Sequence, residues 1–353
     1  MTKLYVRPVG IAYGAAADAA VAAGAALPLA GGPFAFTLAE LIEGVPGQTK
    51  TKIFAAPALA ASGEDRLKSA LARITARRAP FAGLGLDRPV LMGIVNVTPD
   101  SFSDGGLYDS AEAAIARAAE LAGAGAAIVD IGGESTRPGS DAVEAEEETA
   151  RVVPVIKGLA GLPAVVSVDT RKASVARAAA EAGAKILNDV AALTFDPQSA
   201  AVAAETGMSV ILMHAQGEPK TMQDDPRYQD VVLEVYDYLE GRIAAARQAG
   251  IALSHIAADP GLGFGKTLAH NLALIAHTSL FHGLGVPLLI GASRKRFIQG
   301  LAGGLKPQAR DPGSHAAAIA AACQGAQILR VHDVAGTRQA LGVWRASVLG
   351  LEN

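Results

Sequence analysis

The chain has 353 residues, a formal net charge of −3 at pH 7 and one cysteine, and half of it is hydrophobic. This length allows one large domain or two medium ones with a well-buried core. The near-neutral charge argues against a nucleic-acid partner, which usually requires a basic face. The single thiol, Cys323, has no internal disulfide partner, so we expect a reducing, cytoplasmic setting.

An alanine-rich stretch between residues 10 and 30 raises the question of export, because Lys3 and Arg7 precede small apolar residues. A secretory signal has a more strongly apolar centre, and Asp18 interrupts this one. The sequence contains no run of about 18 strongly apolar residues of the kind that spans a bilayer. We therefore expect no membrane partner.

The first 85 residues follow no regular pattern of elements. Residues 34–38 predict a strand, and residues 63–78, which include five basic side chains, predict an exposed helix. The segment is too short and too rich in glycine for an independent enzyme domain. We expect residues 1–85 to form an N-terminal extension packed on a domain of residues 86–353, and its residues indicate no function.

From residue 89 onward the chain repeats one unit, a short apolar run followed by an alanine-rich helical stretch. The predicted strands are 90–97, 127–131, 165–168, 185–187, 209–213, 255–258, 287–290 and 327–331. The clearest predicted helices between them are 111–122, 174–183, 197–207 and 314–324, each ending at or next to a glycine.

Eight such units over about 265 residues are typical of a (β/α)₈ barrel, for which about 250 residues is usual. A doubly wound open sheet would normally carry G-x-G-x-x-G after its first strand, and that motif is absent there. The sequence therefore predicts an α/β fold, a (β/α)₈ TIM barrel with an N-terminal extension of about 85 residues.

Polar residues follow the first two predicted barrel strands, where a TIM barrel builds its active site. Asn96 ends the first strand and could present its amide to a metal ion or a phosphate oxygen. After the second strand, Gly132 and Gly133 allow close backbone approach, and Thr136 and Arg137 bring donors suited to an anion. Ordinary hydrophilic loops are the alternative interpretation.

Asp169, Asn188 and Asp259 end the third, fourth and sixth predicted strands. A carboxylate at the end of an apolar strand is costly unless it is paired or faces a ligand. Capping of the following helix by Asp169 or Thr170 is the alternative. Because the pattern recurs, we favour side chains that point into one barrel mouth and grip the amide-like edge of a heterocycle.

The remaining strands end in apolar or cationic residues. Met213 and His214 end the fifth, and we expect Met213 to line an apolar floor. Alternation along the eighth strand places Arg330 and His332 on one face, near Lys295 after the seventh. Late barrel loops frequently hold phosphate, so these cations predict an anion site, with a solvated charge run as the alternative.

Together these motifs resemble the dihydropteroate synthase family over about residues 86–350. The resemblance rests on MGIVNVTPDSFSDGG at 92–106, GGESTRPG at 132–139, DPGLGF at 259–264, SRK at 293–295 and RVH at 330–332, in that order. It implies a pterin-binding barrel that condenses 6-hydroxymethyl-7,8-dihydropterin pyrophosphate with p-aminobenzoate. The products would be 7,8-dihydropteroate and pyrophosphate, in folate synthesis.

The resemblance also implies roles for individual residues. The pterin would be bound by Asp169, Asn188, Met213, Asp259, Phe264 and Lys295. Pyrophosphate would be bound by Asn96, Arg137, Arg330 and His332, with Mg²⁺ at Asn96. The p-aminobenzoate pocket would include Phe102, Thr136, Pro138 and Arg296. Catalysis would fall to Asp104, Lys295, Arg330 and His332, with Asp104 stabilising a cationic pterin. Members of the family are commonly homodimers.

One departure from the family pattern and two alternative functions bear on this interpretation. Arg296 stands where the family often has a serine near the p-aminobenzoate carboxylate. A methyltransferase barrel that uses methylated folate could share the pterin-binding Asp and Asn, but it has no need for the cations Arg330 and His332. A catalytically idle pterin-binding paralogue would be expected to lose loop or phosphate residues, and here both sets are present.

Overall fold

The computed structural model describes residues 3–97, 107–135, 142–218, 220–303 and 306–350, without the side chains of 107–110. From residue 90 onward strands alternate with helices, and all eight predicted strands are confirmed with ends shifted by at most two residues. The strands are β5 (Val90–Asn96), β6 (Ile128–Gly132), β7 (Val165–Asp169), β8 (Ile186–Asp189), β9 (Ser209–Met213), β10 (Ile256–Asp259), β11 (Leu289–Ile290) and β12 (Ile328–Val331). The helices are α4 (Leu107–Gly123), α5 (Ala145–Gly158), α6 (Ala173–Ala182), α7 (Ser199–Thr206), α8 (Val231–Gln248), α9 (Leu268–Ala276), α10 (Arg296–Ala302), α11 (Asp311–Ala322) and α12 (Val334–Leu349).

The eight strands form one parallel sheet in the order β10-β9-β8-β7-β6-β5-β12-β11. A parallel bridge between Ala258 and Leu288 joins the two ends of this order and closes the barrel. The short apolar runs in the sequence follow from this closure, since each strand is covered by helices outside and by side chains inside. The predicted (β/α)₈ barrel is confirmed.

Alternation along the strands divides the barrel interior into an apolar floor and a polar layer. The floor is a cluster of fully buried side chains: Phe81, Met92, Ile128, Ile186, Ile211, Ala257, Leu289 and Ile328. Two residues further along several strands, the next inward position is polar, as at Asp130, Asn188, Asp259 and Arg330. The polar layer therefore lies at the carboxyl ends of the strands, above a dry floor.

The N-terminal extension contains more regular structure than the sequence predicts. Its antiparallel sheet consists of β1 (Lys3–Tyr13), β2 (Leu27–Pro28), β3 (Phe34–Val45) and β4 (Gln48–Ala55). Its helices are α1 (Gly14–Ala22), α2 (Ala56–Ala61) and α3 (Asp65–Thr75). Pro8 and Gly10 interrupt the alternation of β1 and concealed that strand, because both residues are poor strand formers.

The prediction of an exposed helix at residues 63–78 is wrong in part. Within α3 the side chains of Leu67, Ala70, Leu71 and Ile74 are buried, at the spacing of one helix face. Arg78 is also buried, and its guanidinium donates to the carbonyls of Arg73, Ala76 and His282. The basic composition therefore hid an apolar stripe that packs inward.

The extension packs on the barrel through specific polar and aromatic contacts. The Tyr5 hydroxyl lies 2.9 Å and 3.0 Å from the carboxylate oxygens of Asp237 in α8. The Tyr13 hydroxyl donates to the carbonyl of Cys323 at 2.9 Å, and its ring makes an edge contact with Trp344 in α12. Within the described residues, no helix has the length and apolar character needed to cross a membrane.

Candidate active site at the barrel mouth

Arg330 on β12 bridges two carboxylates inside the barrel. Its Nε donates to Asp130 Oδ2 and one of its terminal nitrogens donates to Asp169 Oδ2, both at 2.7 Å. The two carboxylates come from β6 and β7, which are adjacent strands. These bonds use two of the five N–H groups of the guanidinium. Arg330 therefore belongs to the polar layer as well as to the predicted anion site.

Asp130 lies at the centre of the polar layer and has no solvent exposure. Besides Arg330, it accepts hydrogen bonds from the Ser167 hydroxyl at 2.6 Å and from the Asn188 amide at 3.0 Å. The sequence interpretation assigned Asp130 no role. A signal was present, since an Asp inside an apolar strand must be paired to be tolerated. The structure shows that Asp130 orients two of the predicted site residues.

Asp169 keeps one carboxylate oxygen without a partner. Its Oδ2 bonds Arg330, but its buried Oδ1 has no hydrogen-bond partner among the described residues. Burial raises the pKa of Asp169, with Arg330 opposing and the Asp130 carboxylate reinforcing the shift. The capping alternative is wrong, because the first N–H of α6, on Ala173, donates instead to Asp196. An unsatisfied buried acceptor at the mouth is suited to a ligand that brings a donor.

The loop after β10 returns across the end of β9 and encloses Asp259. The carboxylate of Asp259 accepts the backbone N–H of Gly261 at 2.7 Å and is 6% exposed. Burial raises its pKa, opposed by that N–H and by the charges of Lys295, Lys266 and Arg330. Met213 at the end of β9 is buried nearby, with its Cγ 3.1 Å from where a Cβ on Gly261 would lie. The predicted apolar and acidic residues therefore lie together.

Lys295 and Phe264 form a cation–π pair beside Asp259. The Lys295 Nζ lies 4.0 Å from the centroid of the Phe264 ring, which is half-buried. Lys295 is the N-cap residue that precedes α10, and Arg296 follows it as an exposed side chain in the first turn. An ammonium above an aromatic face forms a wall on which a flat heterocycle can rest.

The cations after β11 and β12 diverge instead of forming one cluster. Arg294 turns away from the mouth and makes two bonds of 2.7 and 2.8 Å to Asp311. His332 lies within hydrogen-bond distance of Ser293, with its Nδ1 and the hydroxyl oxygen 2.9 Å apart. Of the predicted anion-binding residues on these two segments, Arg330 bonds the two carboxylates of the polar layer and His332 lies beside Ser293.

Asn96 ends β5 beside the two bridged carboxylates. Its Oδ1 lies 3.8 Å from the point where a Cβ on Gly132 would be, and Asp169 Oδ2 lies 3.9 Å from the same point. Within the described parts of the chain, no group of three or more His, Cys, Asp or Glu side chains could hold a metal ion. An amide oxygen completed by substrate phosphates and water is nevertheless an accepted environment for Mg²⁺. Asn96 therefore fits the predicted metal contact.

The early loops are those that follow β5 and β6, and charged groups anchor the start of the second. Glu134 accepts from Arg171 at 3.2 Å and from Lys172 at 2.9 Å, and Lys172 also bonds the buried Glu148. These contacts lower the pKa of Glu134 against the effect of burial. Five predicted site residues lie outside the described residues: Phe102, Asp104, Thr136, Arg137 and Pro138.

The mouth as a whole combines an apolar floor, two inward carboxylates, an amide and a stacking wall. Such a set can bind the amide- and amidine-like edge of a flat nitrogen heterocycle by paired donors and acceptors while its faces contact Phe264 and Met213. The guanidinium of Arg330 and the imidazole of His332 lie at the end of β12 and directly after it, where they could stabilise an anionic group of the same ligand.

Comparison with known proteins identifies the family. A family model described as pterin binding enzyme matches residues 92–332. The dihydropteroate synthase of Escherichia coli strain K12 is 49% identical over 276 residues, 78% of this chain and 97% of that one. A structure of Xanthomonas albilineans dihydropteroate synthase with 4-aminobenzoic acid has a TM-score of 0.71 and 52% identity, covering 75% of this chain and 96% of that one.

A second structure of the Xanthomonas albilineans enzyme, in complex with 7,8-dihydropteroate, has a TM-score of 0.68 at 48% identity. It covers 75% of this chain and 95% of that one, so the match again excludes about a quarter of this chain. The family model itself begins and ends at the barrel strands β5 and β12 that carry the mouth. The chain therefore belongs to the dihydropteroate synthase family, transferases of folate synthesis that join a pterin to p-aminobenzoate.

Proposed function

We propose that the polar layer binds the pterin of the substrate through Asp169, Asn188 and Asp259. The observation that carries this assignment is the unpartnered Oδ1 of Asp169, a buried acceptor that faces no donor among the described residues. Asp259 supplies a second buried carboxylate, and Met213, Phe264 and Lys295 supply the surfaces above and below the rings. A ligand that donates to both carboxylates relieves the cost of burying them.

The leaving group occupies the side of the mouth formed by Asn96, Arg137, Arg330 and His332. Arg330 has three N–H groups beyond those that bond Asp130 and Asp169, and His332 is half-buried beside Ser293. Asn96 would contact the Mg²⁺ ion that accompanies pyrophosphate. When bound, that ion would supply charge stabilisation to the departing oxygen.

The reaction is a substitution at the methylene carbon of the pterin. The carbon–oxygen bond to pyrophosphate breaks, and the amine nitrogen of p-aminobenzoate forms the new carbon–nitrogen bond and loses a proton. Arg330 and His332 stabilise the negative charge on pyrophosphate. Asp104, together with the more distant Asp169 and Asp259, stabilises positive charge on the pterin. This division of charge needs no covalent enzyme intermediate.

The amine lies under the two early loops. We assign its pocket to Phe102, Thr136, Pro138 and Arg296, with the exposed guanidinium of Arg296 replacing the family's serine as partner of the carboxylate. Closure of these loops would exclude water, which competes with the amine for the cationic carbon. Arg296→Ala should then raise the KM for p-aminobenzoate while leaving the KM for the pterin pyrophosphate unchanged. An unchanged KM for the amine would refute this role of Arg296.

Isothermal titration of two ligands separates the two halves of the site. Asp169→Asn should weaken binding of both 6-hydroxymethyl-7,8-dihydropterin and its pyrophosphate about tenfold or more, because a charged hydrogen bond is worth roughly 1.5–3 kcal/mol. His332→Ala should weaken the pyrophosphate form alone. Arg330 is a poorer probe, since its bonds to Asp130 and Asp169 link both halves. Equal losses for both ligands in His332→Ala would contradict the assignment of this residue.

Three broader properties complete the proposal. The protein acts in the cytoplasm, has small-molecule substrates rather than nucleic acid or membrane as partners, and forms a homodimer through its alanine-rich late helices. Residues 1–85 constitute an extension whose role is to brace α8, α11 and α12 of the barrel domain 86–353. Sedimentation equilibrium tests the dimer, and a monomer at micromolar concentration would contradict it.

A further inference from the structure

The loop between β10 and α9 contains a segment, residues 260–265, that lies directly on the chain after β9. Gly261, Gly263 and Gly265 all have left-handed backbone angles, with φ of +69°, +80° and +62°. A Cβ on Gly261 would lie 1.9 Å from the carbonyl oxygen of His214, and one on Gly265 would lie 2.3 Å from that of Gln216. Only glycine permits this approach, so the segment is built to contact residues 214–216 closely.

A buried lysine, Lys266, holds residues 260–265 and residues 214–216 of the same chain together at this contact. Lys266 is 3% exposed, and its Nζ lies 2.9 Å from His214 Nδ1, 3.2 Å from the His214 carbonyl and 3.0 Å from the Phe264 carbonyl. Three acceptors match the three N–H groups of an ammonium. Burial, and then the Lys266 charge, lower the pKa of His214, so its ring is neutral and its Nδ1 accepts.

The titratable groups that face Lys266 come from four parts of the barrel. They are His214 after β9, Asp259 at the end of β10, His270 on α9 and Lys295 before α10. Burial lowers the pKa of Lys266 to about 7, Asp259 opposes this effect and Lys295 adds to it. In return, the charges of Lys295, Lys266 and Arg330 lower the pKa of Asp259 against the effect of burial.

The position of Lys266 matters because of what lies on the far side of the segment. Phe264, whose carbonyl Lys266 holds, carries the ring under the Lys295 ammonium. Gly263 contacts the stem of the same lysine, since a Cβ there would lie 3.1 Å from Lys295 Cδ. A shift of the segment would therefore move both surfaces that we assign to the pterin.

We propose that Lys266, which does not line the mouth, is a positioning residue for pterin binding. Its ammonium donates to acceptors of both His214 and Phe264, and these hydrogen bonds hold the Phe264 ring and the Lys295 side chain in the position that binds the pterin. Its positive charge also favours the ionised form of Asp259, which is the form that accepts hydrogen bonds from a ligand. The inference rests on the proposed assignment of Asp259, Phe264 and Lys295 to the pterin.

Neutral hydrogen bonds hold the same segment and provide a matched control. The Tyr228 hydroxyl donates to the Gly265 carbonyl at 2.8 Å, the Gln223 amide donates to the Gly263 carbonyl at 2.6 Å, and the Gly263 N–H donates to Asn271 at 2.6 Å. Tyr228→Phe removes one of these ties without changing any charge. Comparison with Lys266→Met therefore separates the effect of losing one hydrogen bond to the segment from the effect of losing the ammonium charge.

The experiment measures binding of 6-hydroxymethyl-7,8-dihydropterin pyrophosphate by calorimetry between pH 5 and 8, with steady-state kinetics, for Lys266→Met and Tyr228→Phe in the full chain. Lys266→Met should weaken pterin binding about 10- to 100-fold, the range expected when charged hydrogen bonds are lost. The KM for p-aminobenzoate should change less than threefold. The acid limb of pterin binding should move to higher pH in Lys266→Met, because Asp259 loses a neighbouring cation, and should stay in place in Tyr228→Phe.

Three outcomes would overturn the proposal: unchanged pterin affinity in Lys266→Met, an unshifted acid limb, or an equal loss in Tyr228→Phe. If Lys266→Met does not fold, His214→Leu removes a single acceptor, and it should weaken pterin binding about three- to tenfold without unfolding the chain. The same measurement on Asp259→Asn separates a failure of the positioning role of Lys266 from a failure of the pterin assignment. Loss of affinity in Asp259→Asn without loss in Lys266→Met refutes the positioning role alone, whereas no loss in Asp259→Asn refutes the pterin assignment beneath it.

Discussion

Replacement of Asp130 by Asn tests whether the centre of the polar layer organises the site. Asp130 is fully buried and accepts three hydrogen bonds, from Ser167 at 2.6 Å, Arg330 at 2.7 Å and Asn188 at 3.0 Å. Asn keeps the shape but loses the charge, and its amide group presents donors to groups that are themselves donors. One substitution therefore disturbs an ion pair and two hydrogen bonds without leaving a cavity.

The magnitude follows from the partners that remain. Removing one member of a buried ion pair typically costs about 3–5 kcal/mol, because the other charge is left unpaired. Arg330 keeps its 2.7 Å bond to Asp169, so we expect a smaller loss than this, about 2–3 kcal/mol of unfolding free energy. Pterin affinity should fall at least tenfold, since Asn188 and Arg330 lose their common anchor. The pKa of Asp169 should fall, because the neighbouring Asp130 charge that raises it is removed.

Urea unfolding and calorimetry with the pterin pyrophosphate provide the two readouts, and Asp189→Asn provides the matched control. Asp189 is also a buried carboxylate at the end of a strand, but it accepts the backbone N–H groups of Ala191 and Leu193 in the turn after β8. Asp189→Asn should lower stability and leave pterin affinity within threefold of the parent. The reasoning is refuted if Asp130→Asn binds the pterin normally or if both variants lose affinity equally.

Three further predictions follow from particular contacts. Phe264→Ala removes the ring whose centroid lies 4.0 Å from Lys295 Nζ. It should weaken pterin binding, measured by calorimetry, about tenfold, because a cation–π contact contributes about 0.5–2 kcal/mol. Unchanged affinity would exclude a stacking role for Phe264. Gly261→Ala should lower the free energy of unfolding in urea by more than about 2 kcal/mol, because the new Cβ would lie 1.9 Å from the carbonyl oxygen of His214. Gly207→Ala is the control, since Gly207 has a similar φ of +68° but open space around it, and it should lower the free energy of unfolding by only about 1–2 kcal/mol. Equal losses would show that the contact at Gly261 is not tight. Tyr5→Phe removes the hydroxyl that bonds Asp237, and it should lower the free energy of unfolding by about 1 kcal/mol without changing the KM for either substrate. A changed KM would instead give the N-terminal extension a role at the active site.

The barrel could be predicted from the sequence because each unit carries its own signal. Buried parallel strands read as short apolar runs, and the helices between them end at glycines such as Gly183 and Gly207, both of which have positive φ in the structure. The acidic strand ends could also be predicted, because Asp169 and Asp259 interrupt apolar sequence at positions where the cost of burying a carboxylate must be compensated. Local pattern and global fold agree in this part of the chain.

The less legible features depend on contacts between distant residues. Asp130 is two residues before a strand end, and only the folded barrel shows that it meets Ser167 on β7 and Arg330 on β12. Lys266 was assigned no role from the sequence, because its acceptors His214 and Phe264 are brought together only by the folded barrel. In the extension, Arg78 looked like a surface charge, although carbonyls from separate segments bury it. Composition cannot distinguish a solvated cation from one that is enclosed by acceptors.

An assay of dihydropteroate and pyrophosphate together tests whether this barrel mouth joins a pterin to p-aminobenzoate with release of pyrophosphate. It uses the purified full chain, Mg²⁺ and either or both substrates. We expect one dihydropteroate for each pyrophosphate, formed only when both substrates are present and reduced at least tenfold in Asp169→Asn. Tight pterin binding without any dihydropteroate, or product formation that Asp169→Asn leaves unchanged, would refute this activity at the barrel mouth.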